Sequence, residues 1–294
     1  MDEKKLDIMM NRNGFIAALD QSGGSSAKTL RLYGIEEDQY NGEDEMFDLI
    51  HAMRTRVMKS KAFTSEKIVG VILFEQTMNR KIDDKYTSEY LWDKNILSFL
   101  KVDKGLAELN NGVQVMKDIP NLDETLKVAL ERGIFGTKMR SVIKEANEEG
   151  IRAVVKQQFE LANYISSFGL VPIIEPEVDI NAPDKEECEK ILKEEVKSFL
   201  RILPPEAKVM FKFTIPSVDN FYEDIMKDSH VVKVVALSGG YERKDACERL
   251  SRNKGMIASF SRALLEGLNV NDTEEEFDKK LADSIDMIYK ASIQ

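Results

Sequence analysis

At 294 residues, with 43% hydrophobic and 32% charged side chains, the chain is long enough for a large buried core and has the balance of an ordinary globular protein. Its net charge of -10 argues against a general nucleic-acid binder, while a small anionic ligand, which answers to local charge, stays open. No apolar run reaches the roughly 20 residues of a membrane span. The opening MDEKKLDIMMNRNG lacks a signal-peptide pattern, and Cys188 and Cys247 read as reduced thiols, so a cytoplasmic protein without membrane contact is expected.

Along the chain, short apolar or β-branched runs alternate with segments of helical period. The candidate strands are GFIAALD from Gly14, IVGVILFE from Ile68, SFLKVDKG from Ser98, IFGTKMRS from Ile134, LVPIIEPEV from Leu170, KVMFKFTIP from Lys208, VVKVVALSGG from Val231 and MIASFSRAL from Met256. Between them lie amphipathic patterns such as EDEMFDLIHAMRTRVM, NLDETLKVALERG, IRAVVKQQFELANYISSFG, KEECEKILKEEVKSFL and YERKDACERLSRN. DTEEEFDKKLADSIDMIYKASI closes the sequence with a helix whose first turn is acidic. Eight strands alternating with helices predict an α/β fold, a closed parallel (β/α)8 TIM barrel, over an open doubly wound sheet. SGGSS at Ser22–Ser26 follows a strand directly and reads as a βα loop, so residues 1–294 are expected to form one domain.

The strand period of two sorts the side chains by face. In VMFKFTIP, Val209, Phe211, Phe213 and Ile215 make one apolar face, while Met210, Lys212 and Thr214 share the other. Similarly, Val171 and Ile173 share a face with Glu175 and Glu177; Gly136 with Lys138 and Arg140; Phe99 with Lys101 and Asp103; Ile16 and Ala18 with Asp20 and Ser22. Each face turns polar toward the end of its strand, where this fold carries its active sites. One aspartate closing a strand is usually a cap, and one strand lysine usually lies at a sheet edge. Recurrence on five strands instead predicts charges converging on one mouth, where they shift one another's pKa values.

The last two strands end in Ser238-Gly239-Gly240 and Ser261-Arg262, at the positions where this fold often binds phosphate through glycine N–H groups and a forked arginine. The only histidines, His51 in a helical run and His230 in a loop-like stretch, lie away from the converging ends, which argues against a zinc site and a histidine base. Carboxylates and lysines are left to move protons. Lys212 is the candidate nucleophile: a neutral amine attacks a carbonyl to give an iminium, an electron sink for breaking an adjacent bond. Burial and the nearby positive charges of Lys138 and Arg140 would favour that neutral form, with Glu175 and Glu177 beside it for proton transfer.

These residues resemble a family. FIAALDQSGG, GVILFEQT, FLKVDKG, GTKMRS, IIEPEV, KFTIP, LSGGY and ASFSRAL, in this order and over nearly the whole chain, are similar to the class I fructose-1,6-bisphosphate aldolases, in their compact bacterial form. The resemblance implies reversible cleavage of fructose 1,6-bisphosphate to dihydroxyacetone phosphate and glyceraldehyde 3-phosphate, without metal or other cofactor, through a Schiff base on Lys212. It implies Glu175 as the acid/base carboxylate, Glu177 as its partner, Asp20 at the C4 hydroxyl and Lys138 assisting proton transfer. Ser238, Gly239, Gly240 and Arg262 would hold the C1 phosphate, and Lys101 and Arg140 would lie toward the C6 phosphate. The sequence departs from the animal pattern in having Glu75 where that motif has histidine, and in ending IYKASIQ without the animal terminal tyrosine, so neither role is carried over. The same iminium chemistry on another sugar phosphate, as in a transaldolase, and a non-catalytic barrel binding a phosphorylated ligand are the alternatives. A homo-oligomer is compatible with the apolar outer helices.

Overall fold

All eight predicted strands are present in the computed structural model, which describes residues 2–294. They are β1 (Phe15–Leu19), β2 (Ile68–Leu73), β3 (Leu97–Lys101), β4 (Gly136–Ile143), β5 (Val171–Val178), β6 (Val209–Thr214), β7 (Val231–Leu237) and β8 (Ile257–Phe260). Each pairs in parallel with its sequence neighbours, β8 pairs with β1, and the sheet closes on itself. Where β3 meets β4, Phe99 pairs with Gly136 and Lys101 with Lys138; where β4 meets β5, Arg140 pairs with Glu175. These registers bring the predicted charges to a common height.

Two apolar clusters follow the strand alternation. Val209, Phe211, Phe213 and Ile215 face outward with Leu100, Met139 and Ile174, against helices including Glu148–Ser167 and Lys185–Leu200. Ile16, Ala18, Phe99, Val171, Ile173, Met210, Val235 and Ile257 fill the interior. Gly136 is required there: a Cβ on it would stand 2.1 Å from the Val171 carbonyl and 2.9 Å from the Phe99 ring. Burying each large interior side chain contributes roughly 1.5–3 kcal/mol, and this apolar floor is what the polar residues above it rest on.

The opening helix Glu3–Asn11, absent from the sequence prediction, closes the N-terminal end of the barrel. Met9, fully buried, joins the interior cluster with Leu6 and Ile8 against it. Lys5 Nζ donates to the Gly133 carbonyl at 2.7 Å and Lys233 Nζ to the Met10 carbonyl at 2.9 Å, which fixes the helix across the barrel floor. The stretch read as a βα loop after β1 also differs: Gly23 turns the chain with φ +55°, and Gly24 begins a helix that runs to Leu32. Between β2 and β3, helices Glu75–Asn79 and Thr87–Asp93 flank a hairpin of Lys81–Ile82 with Lys85–Tyr86.

Candidate active site

The interior faces that are apolar at the barrel floor end in charge at its C-terminal mouth. Lys101, Lys138, Glu175 and Lys212 stand on β3, β4, β5 and β6, and Asp20 and Asp103 lie just past the ends of β1 and β3. Together they line one cavity of about 500 Å³. Lys138, Glu175 and Lys212 are all buried, with at most 4% of their surface exposed.

Their ion pairs form a continuous chain. Lys212 Nζ lies 3.0 Å from Glu175 Oε1, and the other oxygen of that carboxylate, Oε2, is 3.0 Å from Lys138 Nζ. Lys138 also meets Asp20 Oδ2 at 2.7 Å and Asp103 Oδ2 at 3.9 Å, while Lys101 Nζ meets Asp103 Oδ1 at 2.8 Å. Arg140 pairs with Glu177 through Nε. One carboxylate therefore connects two lysines: any proton that Lys212 gives up has an acceptor within hydrogen-bond reach, itself held in place by a second ammonium.

Electrostatics divides these groups by role. Burial alone would raise the pKa of Asp20, but the charges of Lys138, Lys212 and Lys101 outweigh it and hold the carboxyl well below its ordinary range. Burial would likewise lower Lys138, yet Asp20, Glu175 and Asp103 hold it well above its ordinary value. Lys138 is thus a fixed cation and Asp20 a fixed anion at neutral pH. Arg140 is also held above its ordinary value, burial being outweighed by Glu177.

The opposite wall is built for an anion. Ser238, Gly239, Ser261 and Arg262 line the cavity at the ends of β7 and β8. Gly239 has φ +61°, and a Cβ there would press to 2.5 Å from the Ile180 side chain, so this turn requires glycine. Ser22, Ser25 and Lys28, from the loop and helix after β1, line another side. The four acids of the cavity all have basic partners, whereas among the described residues neither Lys28 nor Arg262 has a carboxylate within 4 Å. The cavity offers two unmatched cations.

A family model described as fructose-bisphosphate aldolase class-I matches residues 3–216. Over all 294 residues, and the whole of its relative, the chain is 60% identical to the fructose-bisphosphate aldolase class 1 of Clostridium acetobutylicum. The chain belongs to the class I fructose-bisphosphate aldolase family. Its fold is shared with a fructose-bisphosphate aldolase from Plasmodium falciparum, at 18% identity and a TM-score of 0.80, covering 99% of this chain and 94% of that one. The activity is that of a lyase acting through a lysine Schiff base, and the family is metal-independent.

Of the residues singled out from the aldolase resemblance, the cavity brings together Lys212, Glu175, Glu177, Asp20, Lys138, Lys101, Arg140, Ser238, Gly239 and Arg262. Gly240 follows at φ +119° and lines a neighbouring recess that shares Arg262 with the cavity. Glu75 pairs with Lys104 at 2.8 Å, while His51 and His230 are engaged elsewhere, with the Lys81 carbonyl and Asp228. Among the described residues no helix is long and apolar enough to cross a membrane.

Several residues important to this aldolase site were not singled out from the sequence. Gln158, fully buried on the helix Glu148–Ser167, accepts the backbone N–H of Glu175 at 2.9 Å and donates to Ser141 Oγ at 3.0 Å. It occupies a core position between Val154, Val155 and Ala162, and a polar side chain in such an apolar stripe was the available signal. Ser259, buried on the interior face of β8, lies in the cavity wall, and among the described residues its hydroxyl has no hydrogen-bond partner. Asp103, noted only as a neighbour of Lys101, is the carboxylate that joins Lys101 to Lys138.

Proposed function

We propose that Lys212 is the Schiff-base nucleophile for fructose 1,6-bisphosphate, with Glu175 as the proton shuttle and Asp20 as the base for carbon–carbon cleavage. The observation that carries this reading is the shared carboxylate: Glu175 bridges Lys212 and Lys138 with one oxygen 3.0 Å from each. Lys212 passes a proton to Glu175, and its free amine attacks the C2 carbonyl. Glu175 returns the proton to the departing hydroxyl, water leaves, and an iminium remains. The C3–C4 bond then breaks with its electrons flowing into the iminium to give an enamine, as the C4 hydroxyl proton passes to Asp20 and C4 becomes the aldehyde carbon of glyceraldehyde 3-phosphate. Protonation of the enamine at C3 and hydrolysis release dihydroxyacetone phosphate and regenerate the amine.

Lys138 stays charged through these steps. It keeps Asp20 ionised before cleavage and orients Glu175 between the two lysines. A carboxylate with so low a pKa is a weak base, but the C4 hydroxyl becomes strongly acidic as its oxygen turns into a carbonyl, so the proton moves with the breaking bond. Arg262 and Ser238, with the backbone N–H groups of the Gly239–Gly240 turn, receive the C1 phosphate. Lys28 faces the C6 phosphate together with the region of Lys101 and Arg140, whose own charges are matched by Asp103 and Glu177. Two unmatched cations suit a substrate with two phosphates.

Steady-state cleavage of fructose 1,6-bisphosphate and fructose 1-phosphate tests the assignment. The bisphosphate is expected to have the higher kcat/KM, and Lys28→Met should remove most of that preference while leaving fructose 1-phosphate cleavage nearly unchanged. Equal kcat/KM for both substrates in the unmodified enzyme would contradict it.

A further inference from the structure

Arg54 lies on the helix Gly42–Lys59, on the stripe formed by Phe47, Ile50 and Val57 that packs against the barrel. Its side chain is completely buried, yet among the described residues it has no carboxylate within 4 Å. Instead, one terminal nitrogen donates to Thr77 Oγ1 at 2.6 Å, and the other donates to both the Gln21 carbonyl at 2.6 Å and Gln21 Oε1 at 3.1 Å. Burial outweighs the nearby charge of Asp20 and lowers its pKa to about 9, so it remains a cation at neutral pH. A methionine or leucine would fill this position without that desolvation penalty. The guanidinium has a different consequence, because Gln21 is the residue between Asp20 and Ser22.

Gln21 is gripped at its carbonyl and its side-chain oxygen, and its side-chain nitrogen donates to Ser261 Oγ at 2.5 Å. Ser261 directly precedes Arg262 and stands at the start of the short helix Arg262–Leu265. A single buried cation thus connects the turn carrying Asp20, the short helix Glu75–Asn79 after β2 through Thr77, and, through Gln21 and Ser261, the end of β8. We infer that Arg54 is a positioning residue for carbon–carbon cleavage, holding Asp20 against the C4 hydroxyl and, through Gln21 and Ser261, setting Arg262 for the phosphate. The guanidinium fork is essential to this role, since three acceptors in two directions must be held together.

This inference deepens the reading of Lys212 and Asp20 given above, and its test separates the two. Lys212 is joined to Asp20 in the ion-pair chain only through Lys138 and Glu175, so borohydride trapping at saturating dihydroxyacetone phosphate should persist in Arg54→Met. Cleavage of fructose 1,6-bisphosphate should fall by about 100-fold in kcat, the loss expected for a misplaced reacting group. In Arg54→Ala, added guanidinium should restore cleavage by about 10-fold without affecting the unmodified enzyme. Arg54→Lys, which keeps the charge and the fold but not the fork, should also lose cleavage by about 10-fold, and it stands in if the other variants fail to fold. Folded variants with wild-type kcat and KM would overturn the inference, as would parallel loss of trapping and cleavage without guanidinium rescue. Trapping on Lys212 in the unmodified enzyme reports separately on the Schiff-base reading, because the Arg54 result is read from cleavage and rescue.

Discussion

Replacing Lys138 by methionine removes the cation on which three buried carboxylates depend. Its ammonium is 2.7 Å from Asp20, 3.0 Å from Glu175 and 3.9 Å from Asp103. At an effective dielectric of about 20, the Asp20 contact alone corresponds to about 6 kcal/mol of attraction, offset by the desolvation of the lysine itself. Breaking one side of a buried pair typically costs about 3–5 kcal/mol, so Lys138→Met should lose that much stability at pH 7. At roughly 2–3 °C per kcal/mol for a chain of this size, Tm should fall by roughly 6–15 °C.

The pH dependence gives the sharper test. In the unmodified protein Asp20 is held below its ordinary pKa, so its contribution is present above about pH 4 and is lost as pH falls through the folded value. Lys138 is held above its ordinary value, so its contribution is lost only at strongly alkaline pH. In the variant Asp20 is buried without its main partner, and protonation relieves the penalty. The stability deficit measured by urea unfolding should therefore be largest at pH 7 and narrow as pH approaches 4. A variant as stable as the unmodified protein at pH 7, or a deficit that widens on acidification, would refute the reasoning.

Other substitutions separate binding, positioning and scaffold. Arg262→Ala should weaken competitive inhibition by inorganic phosphate, with a loss of about 2–4 kcal/mol in binding and little change in borohydride trapping at saturating substrate. Gln158→Leu leaves the Glu175 N–H unpaired in the core and should cost about 1–3 kcal/mol in unfolding free energy, with a fall in kcat because Glu175 loses its anchor. Met9→Ala should open a cavity under the barrel and cost about 2–5 kcal/mol, with KM for fructose 1,6-bisphosphate unchanged because the floor lies below the charged layer.

The residues at the mouth were legible because strand alternation states which way each side chain points. In VMFKFTIP the apolar set Val209, Phe211, Phe213 and Ile215 leaves Lys212 on the interior face, where the closed barrel puts it beside Glu175. Residues acting from the helices were harder to see. Arg54 and Gln158 sit on apolar stripes, but whether a polar group there meets solvent, a backbone or a site depends on tertiary packing. The helix Glu3–Asn11 was missed for a related reason: EKKLDIMMN is short and charged, and its apolar residues have a partner only once the barrel exists.

The central claim is that Lys212, and not Lys138 or Lys101, forms the covalent intermediate. The most direct measurement is borohydride reduction in the presence of dihydroxyacetone phosphate, followed by peptide mass mapping, with a parallel cleavage assay in EDTA. A substrate-dependent adduct on the peptide carrying Lys212, with full activity in the chelator, is the predicted result. An adduct on another lysine, or no adduct from an enzyme that turns over normally, would contradict the account.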